Sequence, residues 1–168
     1  MRRFYILYLL ALMLIAHAGF GQVGEHVSAV KVLNAQNDTV NLPYLGEKDI
    51  LIFYADPSHP GQNKDFRNYV KTHPITNPAV VSYGVVNMGA APMIPNGMIR
   101  RMALKEIKGT DGHLYFDPNE ALSTAWRLPG ANNNFAVIFV DKDKIIRFYK
   151  AGQLTPEEQQ KVIDLVYK

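Results

Sequence analysis

Residues 50–66 read ILIFYADPSHPGQNKDF. With Asp49 in front, the first part is an almost unbroken apolar run rich in β-forming residues. A strand that is apolar on both sides is buried on both faces, which makes it a central strand of a covered sheet. Pro57, Pro60 and Gly61 then interrupt the run. Beyond them Phe66, Tyr69 and Val70 recur at helical spacing, which predicts a helix over residues 62–71 with one apolar face. That helix is expected to begin near Pro60, with its free N–H groups directed at Ser58.

The same grammar continues outward. Residues 79–87 (AVVSYGVVN) and 135–140 (FAVIFV) are two further apolar strands. The helix between the first two makes them a parallel pair joined by a right-handed crossover. Asp141-Lys142-Asp143-Lys144 turns the third strand into an antiparallel return over residues 145–150. Between these lie a Pro-rich loop over residues 90–96 and a helix capped by Asn96. Its apolar stripe is Met98, Ile99, Met102, Leu104 and Ile107. A short helix over residues 119–127 follows the cap Asp117 and Pro118. Thr155-Pro156-Glu157-Glu158 is a capping box that opens a last helix ending near Tyr167, with Val162, Leu165 and Val166 inward. Ahead of everything, residues 27–33 and 39–42 flank an Asn37-Asp38 turn and predict a hairpin. This order is satisfied by a thioredoxin-like α/β fold. It is a three-layer sandwich, a mixed central sheet with helices on both faces, carrying an extra N-terminal β hairpin.

The chain has 168 residues, 48% of them hydrophobic and 20% charged, the make-up of one globular domain. That domain is expected over residues 22–168. Residues 1–21 form an export signal in three parts: Arg2-Arg3, the uncharged apolar run from Phe4 to Ile15, and the small residues Ala16, Ala18, Gly19 and Gly21. The apolar run is shorter than the roughly 20 residues a spanning helix needs. Cleavage after Ala18 or after Gly21 both fit, and no stable membrane insertion is expected afterwards. A periplasmic location in a Gram-negative bacterium follows from the family resemblance given below.

Cysteine is absent. Disulfides, thiolate metal sites and thiol–disulfide or peroxidase chemistry are therefore excluded. The formal net charge is +3, but without Arg2 and Arg3 the basic residues fall to 16 against 15 acidic ones. No basic run exceeds Arg100-Arg101, so nucleic acid is not an expected partner.

Two resemblances bear on function. Ala55 and Ser58-His59-Pro60-Gly61 resemble the strand-end alanine and the C-G-P-C loop of thioredoxin-like proteins, with Ser58 and Gly61 standing where both thiols belong. The cis-proline such proteins carry before the third strand is also missing: Asn132-Asn133-Asn134-Phe135 occupies that place, and a trans bond is expected there. The second half is similar to the YtfJ-type family of exported thioredoxin-fold proteins of Gram-negative bacteria. Ile94-Pro95-Asn96-Gly97-Met98, Phe139-Val140-Asp141-Lys142-Asp143 and Leu154-Thr155-Pro156-Glu157-Glu158 carry that similarity. It implies fold and compartment and brings no established activity.

The expected ligand-binding residues are Ser58, His59, Pro60, Asn133 and Asn134, at the C-terminal edge of the sheet where such folds place their sites. Thr124 and Trp126 either edge a groove opposite Ser58 or, for Trp126, pack in the core. His26, His59, His73 and His113 lack metal-type spacing, and no cofactor loop occurs, so neither metal nor cofactor is expected. No residue is assigned as catalytic, because no carboxylate is evident to orient His59 toward Ser58. The expected activity is binding of a peptide, a protein or a small ligand without redox chemistry. The alternatives are a hydrolase or transferase acting through Ser58 and His59, and a structural subunit of an envelope complex.

Overall fold

The computed structural model describes residues 22–110 and 112–167. The expected export signal, residues 1–21, lies outside the described residues. Seven strands form one mixed sheet: β1 (Lys31–Leu33), β2 (Thr39–Asn41), β3 (Asp49–Ala55), β4 (Val80–Asn87), β5 (Leu114–Asp117), β6 (Ala136–Val140) and β7 (Ile146–Ala151). The helices are α1 (Lys64–Thr72), α2 (Asn96–Glu106), α3 (Ala121–Ala125) and α4 (Pro156–Val166). The strands lie in the order β2-β1-β5-β4-β3-β6-β7. β3, β4 and β5 run parallel to one another, and β6 and β7 are antiparallel additions.

Strand periodicity sorts the core into layers. On β3, Ile50, Ile52 and Tyr54 face one side while Leu51 faces the other. On β6, Ala136, Ile138 and Val140 join the first set, and Val137 and Phe139 the second. Successive side chains of a strand point to opposite faces, so the two clusters are the two faces of the sheet. The first is covered by Leu122 and Trp126 at α3 and by Val27, Val30 and Val32 of the N-terminal segment. Phe66 and Val70 of α1, with Val162 and Val166 of α4, cover the second. α2 seats Ile99 against Val86, Met88 and Phe116 at the β4–β5 end.

Several boundaries differ from the sequence expectation. α1 starts at Lys64, after two turns closed by His59 N–H to the Asp56 carbonyl and Gln62 N–H to the His59 carbonyl. Asn96 is the first residue of α2, whose N-cap is Pro95 with no side-chain cap bond. The stripe on α2 is narrower than expected, because Met98 and Met102 are exposed. β5 is too short for a periodicity to show, yet Leu33 pairs with Phe116 and so carries the hairpin into the main sheet. The first expected strand is cut to three residues. Ahead of it, Gly24 N–H donates to the Ile146 carbonyl, Ile146 N–H to Glu25 and Val27 N–H to Lys144, which pairs this segment with the start of β7. The capping box at Thr155 and Glu158 forms as expected.

Candidate functional site

Each of the three parallel strands ends in a buried polar side chain. Asp56 directly after β3 is 2% exposed, while Asn87 closing β4 and Asp117 closing β5 are fully buried. Each turns back on its own chain. Asp56 accepts the Ser58 N–H at 2.7 Å, Asn87 accepts that of Ala90 at 3.3 Å, and Asp117 accepts those of Ala121 and Leu122, both at 2.8 Å. A buried carboxylate needs such donors to be tolerated. These residues therefore end the strands and shape the turns that follow, and they put a polar layer under the C-terminal edge of the sheet.

Above that layer lies the loop singled out by sequence. Ser58 and Pro60 are exposed, and His59 lies between them with its side chain 42% exposed. The Asp56 carboxylate is 2.8 Å from His59 Nδ1. With a proton on Nδ1 donated to Asp56, Nε2 is left as an acceptor on the open side of the ring. The orienting carboxylate missed in the sequence is thus three residues before the histidine. No hydrogen bond joins the Ser58 hydroxyl to His59 among the described residues. Ser58 serves the cluster through its backbone N–H instead.

The junction between loop and helix holds the neighbouring loops in place. The Gln62 Nε2 donates to Asn134 Oδ1 at 3.2 Å, and its Oε1 accepts the Phe135 N–H at 2.7 Å. Asn63 is fully buried in a left-handed conformation, φ 55°. Its Nδ2 donates to the Gly152 carbonyl, its Oδ1 accepts the Leu154 N–H, and its own N–H donates to Gln153 Oε1, each at 2.8 Å. The β3–α1, α3–β6 and β7–α4 loops are therefore joined through two adjacent side chains. Arg67, one turn into α1, donates from Nη2 to the Pro60 carbonyl at 2.7 Å, and its guanidinium lies 5.1 Å from the Phe135 ring centre.

The asparagine run splits in use. Asn132 bonds Asn87 at 3.0 Å and Glu120 at 2.7 Å, linking the β4 end to the start of α3. Asn133 is exposed, and Asn134 faces Gln62 and the Gly130 carbonyl. Among the described residues no peptide bond is cis. Ser58, His59 and Pro60 are thus brought to the same edge as Asn134, with Gln62 bridging the space between. Trp126 is 3% exposed and donates its indole N–H to the Ser28 carbonyl at 2.9 Å, so core packing is its role. A recess of about 440 Å³ lies elsewhere, walled by Glu25, His26, Trp126 and Arg127 among others. Below the site, Tyr54 donates to Asp117 at 3.0 Å. Burial, and then the Asp117 charge, push its hydroxyl well above the ordinary tyrosine range.

A central β3 with parallel β4 on one side and antiparallel β6 and β7 on the other, and helices on both faces, decides the architecture. The chain has the thioredoxin fold. A solution structure of a candidate thioredoxin from Neisseria meningitidis matches it with a TM-score of 0.62 at 19% identity, over 84% of this chain and 89% of that one. The exposed lipoprotein thioredoxin of Streptococcus pneumoniae also gives 0.62, at 11% identity over 82% and 99%. The thioredoxin domain of a thiol-disulfide oxidoreductase from Bacteroides vulgatus gives 0.60, at 13% identity over 87% and 98%. No family model matches the chain, and no curated protein sequence does. At these identities the likeness is one of fold. Thioredoxin architecture is present here without thiols, since the chain contains no cysteine. No helix of the described residues is long and apolar enough to cross a membrane.

Proposed function

We propose that this chain is an exported, thiol-free thioredoxin-fold protein of the YtfJ type. It binds a peptide, a protein or a small ligand along the edge formed by Ser58, His59, Pro60, Asn133 and Asn134. The observation that carries this reading is the loop itself. Ser58 and Gly61 stand where the resemblance places two thiols, yet the loop is held to both neighbouring loops by Gln62 and Asn63. A loop with no surviving purpose has no need of such fixing, whereas a binding surface gains affinity from being ordered in advance. The surface offers the Nε2 edge of His59 and the Asn133 carboxamide to a polar ligand. The three-part signal over residues 1–21 supports export, and the I-P-x-G-M and L-T-P-E-E elements support the YtfJ type.

The test is amide chemical-shift mapping with a panel of short peptides and envelope metabolites. Shifts confined to residues 56–62 and 132–135 are expected, and they should vanish in His59→Ala. Binding mapped to another face overturns the reading. The intact mass of protein recovered from the cell envelope tests export: a start after Ala18 or Gly21 is expected, and a mass retaining residues 1–21 contradicts it.

The pairing of Asp56 with His59 favours a second reading, in which His59 acts as a general base toward water or a substrate hydroxyl. Ser58→Ala should leave any such activity intact, because the Ser58 hydroxyl does not bond His59, whereas Asp56→Asn should lower it.

A further inference from the structure

Four methionines lie among the described residues, and only Met88 is buried. Met93 is 93% exposed, Met98 47% and Met102 63%. Methionine belongs to the residue types most often found inside. On α2 it is Ile99 that turns inward, with Ala103 and Leu104 packed beside the same cluster. Met98 and Met102, four residues apart, are neighbours on the opposite, solvent face. Met93 sits two residues ahead of the N-cap Pro95, in a turn closed by Ile94 N–H on the Ala91 carbonyl. It therefore lies at the same end of α2 as Met98, whose N–H donates to the Pro95 carbonyl at 2.8 Å.

A thioether is neutral and polarisable. It is a poor ligand for zinc, calcium or magnesium and a good one for monovalent copper and its analogue silver. With no cysteine in the chain, these three sulfurs are the soft donors that the described surface offers. The charges around them sharpen the choice. Arg100 is drawn away, donating to the Asn34 and Ala35 carbonyls and lying 4.2 Å from the Phe116 ring centre. Arg101 and Lys105 remain exposed on α2. Their repulsion acts on a divalent cation with twice the energy it exerts on a monovalent one.

We propose that Met93, Met98 and Met102 form a thioether site for one monovalent soft cation, Cu(I). The site is independent of the Ser58 loop and of any ligand held there. It involves no electron transfer, and the metal leaves in the oxidation state in which it arrives.

The test uses the whole protein labelled at the methionine ε-methyl groups and titrated with silver nitrate, silver(I) being the redox-inert stand-in. The methyl signals of Met93, Met98 and Met102 should shift together and saturate at one silver per chain, with Met88 unmoved. Zinc(II) should move none of them. The affinity should be unchanged between about pH 5 and pH 8, the range in which imidazoles titrate. Met98→Leu, on the surface and close in volume, should fold normally and weaken silver binding by roughly tenfold or more. Arg101→Gln should strengthen it. The proposal is overturned if silver leaves the three methyl signals in place. It is equally overturned if they saturate separately, or if Met98→Leu binds as tightly as the parent.

Discussion

Asn63 Oδ1 accepts the Leu154 N–H at 2.8 Å across ninety-one residues of chain. The same side chain donates to Gly152, so one carboxamide uses both of its ends on a single loop. It does so from a backbone with φ 55°, which asparagine and glycine tolerate and alanine does not. Two substitutions separate these contributions. Asn63→Gly keeps the conformation and loses the bonds, at an expected cost of about 2 kcal/mol. Asn63→Ala should cost about 1 kcal/mol more, for the left-handed backbone. Urea unfolding of both variants measures the difference, and equal losses would show that the conformation carries no strain.

Restoring thiols tests the loop directly. Ser58→Cys/Gly61→Cys is expected to form a reversible intramolecular disulfide and to remain a poor reductase, the cis-proline position being lost as well. Because α1 begins at Lys64, the thiol introduced at position 58 lies outside the first helical turn, where the macrodipole fades. Its pKa should therefore stay near that of an ordinary thiol, about 8.5. Alkylation rate against pH measures it. A value well into the acidic range would show that the turns at His59 and Gln62 rearrange into helix.

Alkaline pH should unfold the protein through its tyrosines. Burial raises the hydroxyls of Tyr54, Tyr83 and Tyr149 above the ordinary value, with the Asp117 charge adding to it at Tyr54. Above about pH 10 the unfolded chain releases these protons and the folded one keeps them. The unfolded state then holds fewer protons, so stability is complete below that pH and falls as pH rises beyond it. Phenolate absorbance is expected to rise in two phases, exposed tyrosines first and the buried set only as the fold is lost. Tyr149→Phe should shrink the second phase.

Phe66 of α1 is 1% exposed and fills the layer beneath β3 and β6. Phe66→Ala should cost roughly 3–5 kcal/mol, as truncation of a buried aromatic does. The single tryptophan, Trp126, is buried and bonded to Ser28, so its fluorescence reports the transition without any engineered probe.

What was legible in the sequence follows from how each signal is made. β3 and β6 are apolar on both sides and could be read at once, and the Thr155 box fixed the start of α4 to the residue. β5 has four residues, too few to show a period, and Asp117 reads from sequence only as a helix cap. Asp56 is not legible as the partner of His59, because residues three apart in a loop face each other only when a turn brings them together, and here the turn closed by His59 on the Asp56 carbonyl does so. By local pattern Gln62 and Asn63 read as the start of a helix that in fact begins at Lys64. Their role depends on Phe135, Gly152 and Leu154, long-range partners that no local pattern announces. Met98 and Met102 matched a helical stripe in spacing, but which side of that stripe meets the sheet is settled by tertiary packing.

The pairing of residues 24–27 with Lys144 and Ile146 has a consequence for the order of assembly. From there the chain passes to the far side of the sheet, where β1 meets β5. Both flanks of the sheet are thus closed by the first part of the described chain, and each closure waits for something made later. A polypeptide emerging N-terminus first pairs this strap only with the adjacent β2 until the β5 segment exists, and cannot complete it until Lys144–Ile146 have been synthesised. Long-range closures of this kind are slow to form. The nascent chain is consequently kept open until nearly all of it has been made, and the fold locks late, when residues 24–27 meet the start of β7.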